Sequence, residues 1–224
     1  MTHKISPKEI YEILKNDEDI LKIYSDIERF EINTGGWAFH NLEHVKNVSK
    51  IAEKILLDLN VDKDIIFKCK IACLLHDVGA LQGKEGHTER GFEYAINLFK
   101  EKNWNMEDFD DVFDAINNHS AGFDNENIIT LAIILADKLD IKSSRITEEG
   151  KKIIGNRQYS HIEDIIININ DGILTVNFIT DGNINIDEVN NYYFTSKLFK
   201  AIEAFSDRLD LKYSILMDSS TWNL

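Results

Sequence analysis

The segment ITLAIILADKLD, residues 129–140, constrains the fold more than any other stretch of the chain. It is apolar on nearly every side until Asp137 ends the run LAIILA. A helix without a polar face has to be surrounded, so other helices must pack around it. The carboxylate at its end then falls where burial is costly unless a cation or strong hydrogen-bond donors meet it. One segment thus asks for a helical body and for positive charge at a defined point within it.

The remaining sequence supplies that body. Ser6 followed by Pro7 and KEIYEILKN reads as an N-cap and a first helical residue. A second helical pattern runs from about Asp19 to Ile32, and the glycines of NTGGW break it. Leu42, Val45, Val48, Ile51, Ala52, Ile55, Leu56 and Leu59 recur by threes and fours, which predicts a long amphipathic helix with His44 on its apolar stripe. Further helices are expected from about Asp64 to Asp77, stopping at Gly79, and at about 88–102, 107–119 and 126–142. From Glu163 the texture changes to two β-branched runs joined around Asp171 and Gly172, a hairpin signal. A final helix spans roughly Ile186 to Leu211, with Tyr193, Leu198, Ile202, Phe205 and Leu209 as its buried face. The expected fold class is therefore mostly α: a helical bundle, then a small β-hairpin near the C-terminus and a closing helix. Residues 1–162 form the helical, metal-binding domain in this reading, and 163–224 the hairpin and C-terminal helix packed on it. The exposed face of the hairpin is where a homodimer would form.

The 224 residues carry a formal charge of -14. That balance argues against capture of a nucleic-acid polymer or of an anionic membrane, both of which need a basic surface. Any phosphate handled here must meet local positive charge, such as a metal. The N-terminus has no signal-peptide pattern and no apolar run approaches bilayer length, so a cytoplasmic protein is expected. Cys69 and Cys73, in FKCKIACLLHD, read as reduced, buried, small apolar residues.

The residues able to carry chemistry are His40, His44, the doublet His76–Asp77, His87, His119 and Asp137. His119 continues the apolar stripe of Phe109, Val112, Phe113 and Ile116. A divalent metal would satisfy a buried carboxylate and several neutral imidazoles together. For single residues plainer readings stand alongside: His87 as a surface or capping residue, His119 as a cation at a helix C-terminus, and His40 as a helix cap.

The order His44, then LLHDVG with His76 and Asp77, then LADKLD with Asp137 resembles the HD superfamily of metal-dependent phosphohydrolases, over roughly residues 37–145. The resemblance implies an all-helical domain that hydrolyses a phosphoester or phosphoanhydride bond, of a nucleotide, by hydroxide held on metal. His87 and His119 stand where binuclear, six-ligand bacterial members place extra ligands. One metal would then take His44, His76, Asp77 and Asp137, and a second His87 and His119, with Asp77 bridging. One or two divalent ions are implied, with iron, manganese, magnesium, zinc and nickel undistinguished. The stretch HTERGFEYAINLF…INNHSAGF…LADKLD looks most like the branch that cleaves dinucleoside polyphosphates. FHNLEH is similar to the His-Asn-x-x-His motif of cyclic-nucleotide phosphodiesterases, which makes His40 a general acid and His44 a ligand; His40 and Asp77 are thus the expected catalytic residues. Lys138, Arg145 and Lys84 are the candidate substrate-binding cations, although a basic residue near a helix end is often merely solvated. Ala80 stands where many relatives have a lysine, a departure from the cyclic-dinucleotide-cleaving branch. His161 lies outside the matched region and reads as a surface residue. Trp37, Phe39, Phe123 and Tyr159 could stack a base. The partner expected is a small phosphorylated molecule. Two rival readings are an HD-type di-iron oxygenase and a non-catalytic nucleotide-binding module.

Overall fold

The computed structural model describes residues 5–224. Helix α1 (Pro7–Leu14) begins with the expected Ser6 cap, closed into a capping box by Glu9. Asp17 caps α2 (Glu18–Thr34), which ends at Gly35 in the left-handed region at φ 75°. Then come α3 (Leu42–Asp58), α4 (Lys63–Leu75), α5 (His87–Glu101), α6 (Asp110–Asn118) and α7 (Ile128–Leu139). The all-apolar segment behaves as its composition demands. Every residue of α7 from Ile129 to Ala136 is buried, and α3, α4 and α6 pack against it.

The hairpin is β1 (Ile162–Asn170) and β2 (Ile173–Thr180), antiparallel. Its two-residue turn places both Asp171 (φ 50°) and Gly172 (φ 73°) at positive φ, the combination that matches the twist of the strands. β1 lies against α3, where the Ile169 N–H donates to Asp58 Oδ2 at 3.0 Å.

The C-terminal part departs from expectation in three ways. The closing helix is divided into α8 (Ile186–Asn190) and α9 (Tyr193–Arg208), with Asn191 and Tyr192 between them. Tyr192, the α9 N-cap, is the buried tyrosine of the pair, so Tyr193 is 55% exposed instead of packed inward. Leu198, Ile202 and Phe205 are buried as expected. Third, the chain does not end in helix. β3 (Lys212–Met217) returns to pair in parallel with β2, and β4 (Ser220–Thr221) completes a four-stranded sheet in the order β1-β2-β3-β4.

α9 packs on α7, so a continuous apolar core runs from Ile10 in α1 to Trp222 beyond β4. Cys69 and Cys73 are buried free thiols within it. Tyr159 is also core, with its hydroxyl 2.8 Å from Thr195 Oγ1, which removes it from the residues able to stack a base. Among the described residues no helix is long and apolar enough to cross a membrane.

Candidate metal centre

Five helix ends converge on one buried point. α3 brings His44 on its first turn, because the side chain of Asn41 caps the helix by accepting the His44 N–H at 3.1 Å. α4 stops at Leu75, earlier than the periodicity suggests, so His76 caps it and Asp77 turns away at φ -105°. His87 opens α5, His119 caps the C-terminus of α6, and Asp137 lies in the last turn of α7.

Asp77 divides its carboxylate between two groups. Oδ2 lies 3.5 Å from His44 Nε2 and 3.3 Å from His76 Nε2. Oδ1 lies 3.5 Å from His87 Nε2 and 3.7 Å from His119 Nε2. Each trio has ligand atoms close enough together to hold an ion. Asp137 joins the first trio through His44, whose Nε2 is 3.2 Å from its Oδ1.

The ring orientations are set from outside this cluster. His76 Nδ1–H donates to the Cys73 carbonyl (2.7 Å), His87 Nδ1–H to the Lys84 carbonyl (2.7 Å), and His119 Nδ1–H to the Ile116 carbonyl (2.8 Å). His44 Nδ1–H donates to Asp140 Oδ2 at 2.7 Å. A carbonyl can only accept, so the proton is on Nδ1 and the Nε2 lone pair faces inward.

These lone pairs lack partners. Buried His44 Nε2, His76 Nε2 and both Asp77 oxygens have no hydrogen bond. His87 Nε2 and His119 Nε2 stand 3.0 Å apart with lone pairs opposed, an arrangement that needs a cation between or beside them. The residues therefore fit divalent metal ions: imidazole nitrogen and carboxylate oxygen in buried sets of three, with outer hydrogen bonds that hold each ring in its ligating tautomer.

The electrostatics agree. Burial lowers His119 to about 4 and lowers His87 as well, keeping both neutral. Burial opposes ionisation of Asp77, but Lys84 and the surrounding imidazoles hold its carboxyl well below the usual range. Burial and Arg145 push His44 down, yet the nearby carboxylates of Asp137, Asp140 and Asp77 carry it up to about 9. The three carboxylates thus draw a positive charge to His44 Nε2, where proton and metal ion compete.

His40 lies just outside the two trios, its ring edge-on to His44 with centroids 5.5 Å apart. It is held by Glu31, which accepts the His40 main-chain N–H at 2.8 Å and closely contacts Nδ1. Burial lowers the imidazole and raises Glu31 to about 7. Of the expected cations, Lys138 is buried with Nζ 2.5 Å from Asp137 Oδ2, and half-exposed Lys84 reaches to 3.9 Å from Asp77 Oδ1. Arg145 is half-buried and committed to the main chain: Nη1 donates to the carbonyls of Asp140 (2.8 Å) and Asp137 (3.2 Å), and Nε to that of Phe39 (3.2 Å). That use departs from the open bidentate fork expected of a phosphate grip. His161 pairs with Asp181 at 3.0 Å and belongs to no part of the centre. Among the stacking candidates, Trp37 is 44% exposed, Phe39 is half-buried, and half-buried Phe123 lies under Lys200.

Asp140 and Glu31 are the two residues that the sequence reading missed. Asp140 follows Asp137 by three positions in LADKLD, and that spacing on a helix was the one available signal. Glu31 has none, because it reads as one more polar residue near the end of α2.

The site is thus a divided His/Asp cluster at the helix ends of a helical domain, and it could hold metal ions. Residues 41–142 match the HD domain family. HD domains bind divalent metal ions, and the general activity associated with them is metal-dependent phosphohydrolysis. Among solved structures, the chain is similar to a predicted HD superfamily hydrolase from an uncultured Thermotogales bacterium. The two are 23% identical, with 60% of this chain and 80% of the other covered and a TM-score of 0.43. No curated protein matches the chain.

Proposed function

We propose that this HD domain is a binuclear phosphohydrolase that cleaves a phosphoester or phosphoanhydride bond of a nucleotide. The observation that carries the reading is the Asp77 carboxylate, with one oxygen turned to His44 and His76 and the other to His87 and His119. His44, His76, Asp77 and Asp137 would hold one ion, and Asp77, His87 and His119 the other. Divalent ions bound there would polarise a phosphoryl oxygen and lower the pKa of water.

The chain's own groups account for the rest. Lys138, Lys84 and Arg145 put three positive charges around the two ligand carboxylates. Such a concentration in a chain of charge -14 suits an anionic substrate and favours phosphate chemistry over oxygen activation. Arg145 acts through its charge and by bracing the loop after α7. Glu31, raised to about 7, donates its carboxyl proton to His40 Nδ1; the ring proton of the neutral imidazole is then on Nε2, from which His40 gives it to the leaving oxygen. Exposed Trp37, three residues before His40, supports a planar base as part of the substrate.

The test is metal analysis of protein purified without chelator, followed by phosphate-release assays over nucleotides with each divalent metal. Two equivalents of metal are expected, falling to one in His119→Ala, together with release of phosphate or of a nucleoside monophosphate. His40→Ala should slow turnover about a hundredfold or more with metal content unchanged. Two irons with oxygen consumption and no phosphate release would replace this reading with the oxygenase. Nucleotide recovered intact after prolonged incubation would replace it with the binding module.

A further inference from the structure

The nine residues from Val78 to Gly86 join the shared Asp77 to the opening of α5 at His87, and one side chain organises them. Arg90, in the first turn of α5, turns its guanidinium back into this loop. Nε donates to the Gly79 carbonyl at 2.9 Å, Nη2 to the Gly83 carbonyl at 2.6 Å and Nη1 to the Glu85 carbonyl at 2.7 Å. Val78–Gln82 form a short 3-10 helix packed on α5 and α2, whereas the stretch that carries Lys84 lies between Gly83 (φ 94°) and Gly86 (φ 67°), two easily rotated points. Gly79 makes the close approach possible: a Cβ there would fall 2.1 Å from the His87 carbonyl oxygen.

Lys84 sits between the second and third of these carbonyls. Its own carbonyl accepts the His87 Nδ1–H, and its ammonium points toward Asp77 Oδ1. Lysine has a flexible stem and high rotamer entropy, so a half-exposed lysine keeps a fixed place only if its backbone is fixed. The planar fork of an arginine meets three carbonyls at once, and a lysine in its place could not. Resting on the phosphohydrolase reading, we infer that Arg90 is a positioning residue that holds the Lys84 ammonium beside the His87/His119 half of the centre, where Lys84 binds a phosphoryl oxygen.

The experiment is a double-mutant cycle read by binding. Inorganic pyrophosphate is titrated calorimetrically into manganese-loaded wild-type protein, Arg90→Lys, Lys84→Met and the double variant. Manganese content and far-UV circular dichroism are measured on each, and Arg90→Met serves as a second Arg90 variant. Each single change should weaken pyrophosphate about tenfold, the scale of one hydrogen bond to a charged group. The double variant should be no weaker than Lys84→Met alone, because Arg90 acts through Lys84. A purely structural Arg90 would give losses that multiply in the double variant, and that outcome overturns the inference alone. Tight pyrophosphate binding by both Arg90 variants does the same. Absence of pyrophosphate binding by the manganese-loaded wild type overturns both the inference and the phosphohydrolase reading.

Discussion

Asp140 never faces the cluster, yet it governs how His44 behaves there. Its carboxylate takes the Nδ1 proton of His44 at 2.7 Å, which fixes the tautomer and makes Nε2 a better donor. Asn at this position would keep a hydrogen-bond acceptor but remove the charge. Asp140→Asn is therefore expected to weaken manganese binding about ten- to hundredfold with the fold intact, measured by competition against a chelating dye. Unchanged affinity would mean that the charge does not reach the metal position. Several of the candidate ligands were legible in the sequence because they interrupt an apolar pattern: His44 on the α3 stripe, His119 on the α6 stripe, Asp137 at the end of α7. Asp140, Glu31 and Arg90 interrupt nothing. Polar residues at the end of a helix are ordinary, and their roles arise from partners on other elements or in a loop without periodic pattern.

The working parts of the elements are their ends. α4 contributes because it stops: His76 caps it with helical dihedrals, Asp77 departs from them at φ -105°, and the next turn brings the chain back against α5. Gly79 is what permits that return. Gly79→Ala places a methyl group against the backbone of His87 and Gly91, which cannot yield as a flexible side chain would. The expected result is displacement of the start of α5, a loss of about 2 kcal/mol or more of stability, and a drop to one metal equivalent as His87 moves. Thermal denaturation and metal analysis together check it; two equivalents at an unchanged melting temperature would contradict the close approach. A related dependence holds the His119 loop, where Asp114 accepts from the side chains of Asn118 (2.8 Å), Asn125 (2.9 Å) and Thr130 (2.7 Å). Helices and the hairpin were readable from periodicity and turn chemistry. β3 was not, because six residues joining a sheet in parallel are specified by the backbone of β2, some forty positions earlier in the chain.

The whole molecule is tied together by apolar packing of α9 on α7 and by a few charged contacts between distant segments. In one of them, Arg157 donates to both oxygens of Glu188 in α8, at 2.7 and 2.6 Å, and the Gly155 N–H adds a third bond at 2.8 Å. Arg157 and the Gly155 N–H lower Glu188 from 4.5 to about 2. A carboxylate with a depressed folded-state value contributes stability above its unfolded value and loses it as pH falls through the folded one. Glu188→Gln should therefore cost about 1 kcal/mol at pH 7. The gap from wild type should narrow as pH falls from 4.5 toward 2, followed by urea denaturation at several pH values. A gap independent of pH would show that the pair contributes through packing alone.

From local pattern come the helical body, the central place of α7, the hairpin at Asp171–Gly172 and the positions where a histidine or aspartate interrupts an apolar stripe. Each depends on spacing within a single element, and spacing is written in the chain. The division of the Asp77 carboxylate, the partners that orient each imidazole, the pairing of Glu31 with His40 and the return of β3 depend on atoms brought together from separate elements. They follow from how the helices and strands pack, because a hydrogen bond or a shared ligand exists at distances of about 3 Å that no one-dimensional periodicity encodes.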